Sequence, residues 1–162
     1  MSVSAVIQSI CTVTEVLERN ADSMDTAGAT IIHNQFNESM TLTSATATPV
    51  TETAQFIQAL SGGAATIDLT ALNGADDTAL DLTGLKVQYF RLKNLGANTM
   101  TVTFAAANPY ELGGSTGVWI VQPSGWIDFY ANDNAPDVAS GAKNITLAGT
   151  VSQTCEITIV AG

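Results

Sequence analysis

Proton transfer near neutral pH usually needs a histidine, and this chain has one, His33. A Ser-His-Asp arrangement would use it as the base. With Asn34 beside it at the end of an apolar run, the residue reads instead as a surface or hydrogen-bonded histidine. The glycine pairs at 62–63 and 113–114 lack the following Lys-Ser/Thr of a phosphate-binding loop. Two acidic stretches carry oxygen donors suited to calcium. One runs from Asp128 to Asp137 with Asn132, Asp133 and Asn134 between; the other holds Asp76, Asp77 and Asp81. Neither has EF-hand spacing, and carboxylates in turns commonly bond local backbone N–H groups. Glycoside hydrolysis would need two facing acids; Glu52, Asp68, Asp128 and Glu156 are available, with nothing to place any two opposite each other. Trp119, Tyr110 and Trp126 are candidates for stacking on a sugar, for core packing or for a subunit contact. No catalytic constellation emerges, and the chain is not expected to be an enzyme or to need a cofactor.

The two cysteines, Cys11 and Cys155, sit in apolar, β-rich segments near opposite ends. They read as buried free thiols, with a disulfide between first and last strands as the alternative. Two cysteines and a single histidine do not make a structural zinc site without other ligands. The stretch Met1 to Arg19 lacks a basic start and a compact apolar segment, so no signal peptide is read and a product assembled in the cytoplasm is expected. The Asn-x-Ser/Thr triplets at Asn37 and Asn144 then carry no meaning. No apolar run is long enough to span a bilayer, so no membrane partner is expected. Fifteen acidic residues face five Lys plus Arg, a net charge of −10, which repels phosphate and argues against nucleic acid.

These residues must be held by strands. At 162 residues and 46% hydrophobic composition the chain suits one domain with a genuine core. Leu85, Val87 and Tyr89 alternate with polar neighbours; the phase then shifts so that Phe90 and Leu92 alternate with Arg91 and Lys93. After the turn Leu95–Asn98, Met100, Val102 and Phe104 alternate with threonines. This pattern predicts a β-hairpin over Gly84 to Ala106 with one buried face. Further strands are expected at 29–33, 37–44, 65–69, 118–122, 126–130, 144–148 and 154–160. Pro123-Ser124-Gly125 predicts a tight turn. Ala54 to Leu60 fits a helix or a strand, and Val13, Val16 and Leu17 leave a helical turn competing with an extended arm. Asp68-Leu69-Thr70 and Asp81-Leu82-Thr83 form a short internal echo. Many short strands between Gly/Asn/Pro turns predict an all-β antiparallel β-sandwich, a jelly roll of eight strands in two sheets. Residues 1–20 are expected as an N-terminal arm or first strand and 21–162 as the sandwich domain.

The run from Ile67 to Asn94, then Trp119 to Tyr130, then Asp133 to Thr150, resembles small virion structural proteins of tailed bacteriophages and prophages. The resemblance covers roughly Ala64 to the C-terminus and implies a β-sandwich subunit of a phage particle. It implies a capsid decoration or cement protein that binds the major capsid protein, or else a head fibre or tail component. A homo-oligomer, a trimer, is expected, with Trp119, Trp126, Tyr130, Tyr110, Val3 and Ile7 as interface residues. A carbohydrate-binding β-sandwich module is the competing expectation, from Trp119, Trp126, Tyr110 and the acidic loops.

Overall fold

Alternating side chains place fourteen strands in the computed structural model, which describes residues 3–17, 29–34, 37–74, 77–104, 107–112, 114 and 117–162. They are β1 (Ser4–Ser9), β2 (Val13–Leu17), β3 (Ala29–His33), β4 (Glu38–Thr43), β5 (Glu52–Ala59), β6 (Ala64–Asp68), β7 (Leu72–Asn73), β8 (Ala79–Leu80), β9 (Val87–Asn94), β10 (Met100–Thr103), β11 (Val118–Val121), β12 (Trp126–Tyr130), β13 (Asn144–Ala148) and β14 (Thr154–Ala161). A 3-10 turn covers Asn132–Asn134. The protein is all-β with antiparallel sheets. The two segments open to a helical reading, Ala54 to Leu60 and Val13 to Leu17, are both strands.

The chain divides into two compact units, Leu42–Gly162 with Met1–Ala5, and Val6–Thr41. The expected boundary near residue 20 falls between β2 and β3, which pair with each other. The larger unit holds two four-stranded sheets, in the orders β12-β9-β14-β5 and β11-β10-β13-β6. Both send side chains into one buried cluster: Phe90, Leu92, Ile157 and Ile159 from the first, Met100, Val102, Ile145, Leu147 and Ile67 from the second.

The predicted hairpin over Gly84 to Ala106 does not form. β9 pairs with β12 and β14, whereas β10 pairs with β11 and β13. Alternation specifies one buried face but not whether the next strand lies beside it or across the core. Here the chain crosses. The connections β5–β6, β11–β12 and β13–β14 cross between the sheets in the same way. The phase does shift, but earlier than the Tyr89–Phe90 step expected from the sequence: Val160 pairs with Tyr89 and Ala161 with Val87, an irregularity that leaves Val87 and Gln88 both buried and Tyr89 on the outer face.

These four crossings, of the six between the two sheets, meet on two buried amides. The Asn94 side chain donates to the carbonyls of Asn98 (2.8 Å), Val121 (3.2 Å) and Gln122 (3.2 Å). It accepts from the Gly96 amide at 2.9 Å and from Gln153 Nε2 at 2.8 Å. Gln153 Nε2 also reaches Asn98 O at 2.7 Å, and its Oε1 takes the Thr150 amide at 2.9 Å. The backbone of Gln153 accepts from Leu60 N at 2.8 Å, tying in the β5–β6 crossing. A Cβ on Gly96 or Gly149 would lie 2.5 Å from the Gln153 side chain, so both positions need glycine.

The internal echo is structural. Asp68 Oδ1 accepts from the amide and hydroxyl of Thr70 (2.9 and 2.6 Å), and Asp81 Oδ1 from those of Thr83 at the same distances. Each turn buries its central leucine, Leu69 or Leu82. Lys143 Nζ on Asp68 (2.6 Å), with the Thr70 hydroxyl, holds the Asp68 carboxyl below the usual carboxylate range. At Pro123-Ser124-Gly125 the predicted turn closes with Gly125 N on Gln122 O at 3.0 Å, but the positive φ of 59° falls on Ser124.

Asn94→Ala strands several buried donors and acceptors at once and is expected to lower the unfolding free energy by about 3 kcal/mol. A shift of the urea midpoint at unchanged slope measures it; an unshifted midpoint would show that the crossings do not depend on this amide.

Candidate interaction surfaces

Register builds the outer face of the β12-β9-β14-β5 sheet row by row. Trp126 lies opposite Lys93, then Glu156, then Ile57; Asp128 lies opposite Arg91, then Thr158, then Gln55; Tyr130 lies opposite Tyr89. Trp126 is 59% exposed and Tyr130 is also exposed. Between the aromatic ends, Asp128 Oδ1 accepts the Tyr89 hydroxyl at 2.9 Å and sits 3.6 Å from Arg91 Nε. Partial burial, with the Asp128 carboxylate beside it, pushes the Tyr89 hydroxyl up to about 12, so it stays a donor. The result is a solvent-facing patch with aromatic rings at both ends of one strand and fixed hydrogen-bonding groups between.

The other aromatic candidates are elsewhere. Trp119 points inward, edge-on to Phe104 (centroids 4.7 Å apart) and tilted against Phe129 (5.5 Å). Tyr110 is fully buried; its hydroxyl accepts from Val87 N at 2.9 Å and donates to Pro136 O at 2.7 Å. Burial raises that hydroxyl to about 12. A stacking platform of Trp119, Tyr110 and Trp126 is therefore not assembled, and Tyr110 offers no face to a partner. An aromatic followed by a loop in the sequence carries no sign of which way the ring turns. Val3 and Ile7 are half-buried on one side of β1, with Val6 exposed on the other.

The carboxylates do not converge. Asp133 sits 3.2 Å from Lys86 Nζ, and Asp137 meets Lys86 through backbone bridging. Asp77 has a positive φ of 59°, and Asp76 lies outside the described residues. Asn132 in the same acidic loop accepts the Thr48 hydroxyl. Among the described residues no three or more His, Cys, Asp or Glu side chains gather as metal ligands. Of the four acids weighed for hydrolysis, Asp128 and Glu156 share the open outer face with Arg91 and Lys93 between their strands. Asp68 is held by Lys143, and Glu52 opens β5. His33 Nε2 lies 3.5 Å from Glu15 Oε2 on an exposed surface. One pattern escapes the glycine reading above: Gly113 to Gly117 spells Gly-x-Ser-x-Gly. A nucleophile elbow needs a strand leading into a helix. Here the stretch precedes strand β11, and residues 113, 115 and 116 lie outside the described set.

The smaller unit presents the second surface. β2 and β3 form a two-stranded ribbon with Val13 opposite His33, Thr14 opposite Ile32, Glu15 opposite Ile31 and Val16 opposite Thr30. One face carries Val13 and Ile31, the other Val16 (64% exposed) and Ile32 (61%). No described side chain within Val6–Thr41 is buried. The sequence showed these apolar residues but gave no hint that neither face would be covered.

The cysteines differ in a way the sequence reading missed. Both are free; Cys155 is buried on β14, but Cys11 is exposed between β1 and β2, its amide bonded to Asn37 Oδ1 at 2.8 Å. Burial raises the Cys155 thiol to about 11, which suppresses the reactive thiolate at neutral pH. A thiol titration at pH 8 is expected to label Cys11 alone in the folded protein and both cysteines in denaturant; rapid labelling of both without denaturant would contradict the buried position of Cys155. No protein-family model matches this chain, and no match to it was found among curated proteins.

Proposed function

We propose that this chain is a structural subunit of a tailed-phage or prophage particle, a decoration protein bound in multiple copies to the major capsid lattice. The observation that carries the reading is the two-faced ribbon β2–β3. An isolated two-stranded hairpin is marginal in water. This one displays Val13, Val16, Ile31 and Ile32, side chains that each gain about 1.5–3 kcal/mol on full burial. Other chains supply that burial. A twofold contact covers one face of a ribbon, whereas a ring gives each copy two different neighbours, and three copies make the smallest such ring. A trimer follows, with assembly in the host cytoplasm and residence in the virion.

The strand order favours a jelly-roll sandwich for the larger unit. The eight strands of its two four-stranded sheets pair first with last (β5 with β14), second with seventh (β6 with β13), third with sixth (β9 with β12) and fourth with fifth (β10 with β11). Such pairing is what one long antiparallel ribbon folded over, as in a jelly roll, would give. The fold is widespread among coat proteins and lectins and does not itself decide between them.

Mass spectrometry of particles purified from the encoding phage or induced prophage tests the reading. The chain is expected in them at many copies per particle, and its absence would overturn the proposal. Within it, a head fibre or tail component is distinguished from a decoration protein by labelling the chain for electron microscopy.

The exposed Trp126–Asp128–Tyr130 face supports a second reading, a glycan-binding module, since rings flanking fixed polar groups suit stacked sugars. If it holds, a glycan array gives a hit with the native chain that falls at least tenfold in Trp126→Ala. Silence of the native chain on the array, with and without calcium, would remove it.

A further inference from the structure

Each four-stranded sheet ends in two edges, and the four edges are not alike. β11 and β6 are four and five residues long, and β12, at five, carries Asp128 and the Arg91 pair. β5 runs eight residues, Glu52–Ala59, in unbroken register with β14 on one side only. Proteins usually blunt such an edge with lysine, proline, a bulge or brevity. β5 has none of these between Thr53 and Ala59, its one charge being Glu52 at the start; β7 approaches it at Leu72 and Asn73, and Ile57 stands 66% exposed on it.

The hydrogen bond from Leu60 N to Gln153 O sets the alternation along the strand. Continued through the antiparallel register, it turns the amides of Ala54, Phe56 and Gln58 toward β14 and those of Thr53, Gln55, Ile57 and Ala59 outward. A depression of about 220 Å³ lies beside this edge, lined by Phe56, Ile57, Thr66, Ala71 and Leu72 among others.

We infer that this edge pairs antiparallel with β5 of a second copy across a twofold axis, joining two four-stranded sheets into one continuous sheet. Charge chooses the occupant. The chain carries −10, so two copies repel over most of their surface. The segment Thr53 to Ala59, Thr-Ala-Gln-Phe-Ile-Gln-Ala, has no charged residue, and an uncharged antiparallel edge is self-complementary about a twofold. Only even sums of paired residue numbers bring outward amides face to face. With the axis at Phe56, Gln55 meets the second copy's Ile57, and Thr53 meets its Ala59. Glu52 then stays outside the seam, and the pairing makes about eight backbone hydrogen bonds. This contact uses a different surface from the ribbon, and rests on the proposed function only in that both require several copies.

Sedimentation velocity on the full chain across a concentration range tests it. The native chain is expected to reach a species of twice the mass given by Gln55→Pro, which removes one outward N–H and breaks no backbone bond to β14, losing only the 3.4 Å side-chain bond to Thr158. Ile57→Lys, at an exposed position, is expected to give the same twofold fall, and decides the matter if the proline variant unfolds. A native chain that stays monomeric, unchanged masses in both variants, or doubling only when another protein is added would each overturn the inference. The ribbon variant Ile32→Lys separates the two contacts: it is expected to remove higher species and leave the β5 dimer. Presence or absence of the chain in purified particles is read independently of all these masses.

Discussion

Two amides hold this fold at its corners. Four connections leave one sheet and enter the other at the same end of the larger unit, and each sheds backbone groups from the ladders as it turns. Asn94 and Gln153 collect those groups. Asn94 binds the β9–β10 and β11–β12 crossings directly. Gln153 binds the β13–β14 crossing through Thr150 and the β5–β6 crossing through Leu60, and the two amides bond each other at 2.8 Å. Buried polar groups cost free energy unless satisfied, so a network of this density discriminates sharply between this set of crossings and any shifted version. The apolar layers supply the driving force; the amide pair fixes which strands lie opposite each other.

That division of labour marks what a reader of the sequence meets. Period-two alternation at Phe90–Leu92, Met100–Phe104, Ile145–Leu147 and Cys155–Ile159 identifies strands and their buried faces, because burial acts on each side chain separately. Partnering is another matter. Met100 and Val102 alternate in the same way whether β10 lies beside β9 or across the core from it, and the hairpin expected there is a crossing. The deciding residues, Asn94 and Gln153, look like ordinary turn residues in a chain rich in Asn and Gln. Their role rests on 59 residues of sequence separation closing to one hydrogen bond. The Asp-Leu-Thr echo was legible because its chemistry is local: an aspartate bonding the threonine two residues on.

The candidate surfaces show the same limit. Trp126 and Tyr130 share a strand face, so their common exposure follows from spacing once Ile127 and Phe129 are placed toward the core. Trp119 and Tyr110 had equal claim by residue type, yet one closes the core between Phe104 and Phe129 and the other spends its hydroxyl on Val87 and Pro136. Exposure of an aromatic is a property of the assembled layers, and composition does not carry it. The acidic loops were legible as oxygen-rich, but Lys86 and Arg91 engage Asp133 and Asp128 singly, and the carboxylates stay apart.

Stability and association divide between the two units. In the larger one, two sheets share a core containing Phe90, Phe104 and Tyr110, which buries its apolar faces within the chain itself. The ribbon β2–β3 has its hydrogen bonds but no core, and a strand pair with apolar residues on both faces gains little by folding unless something lies against each. Ordering the ribbon's backbone costs about 1–2 kcal/mol per residue, which its own ladder does not offset. Association therefore offers the smaller unit more than the larger. This asymmetry suits the proposed building block: the body carries its own core, and the ribbon's apolar faces are left for a partner to cover.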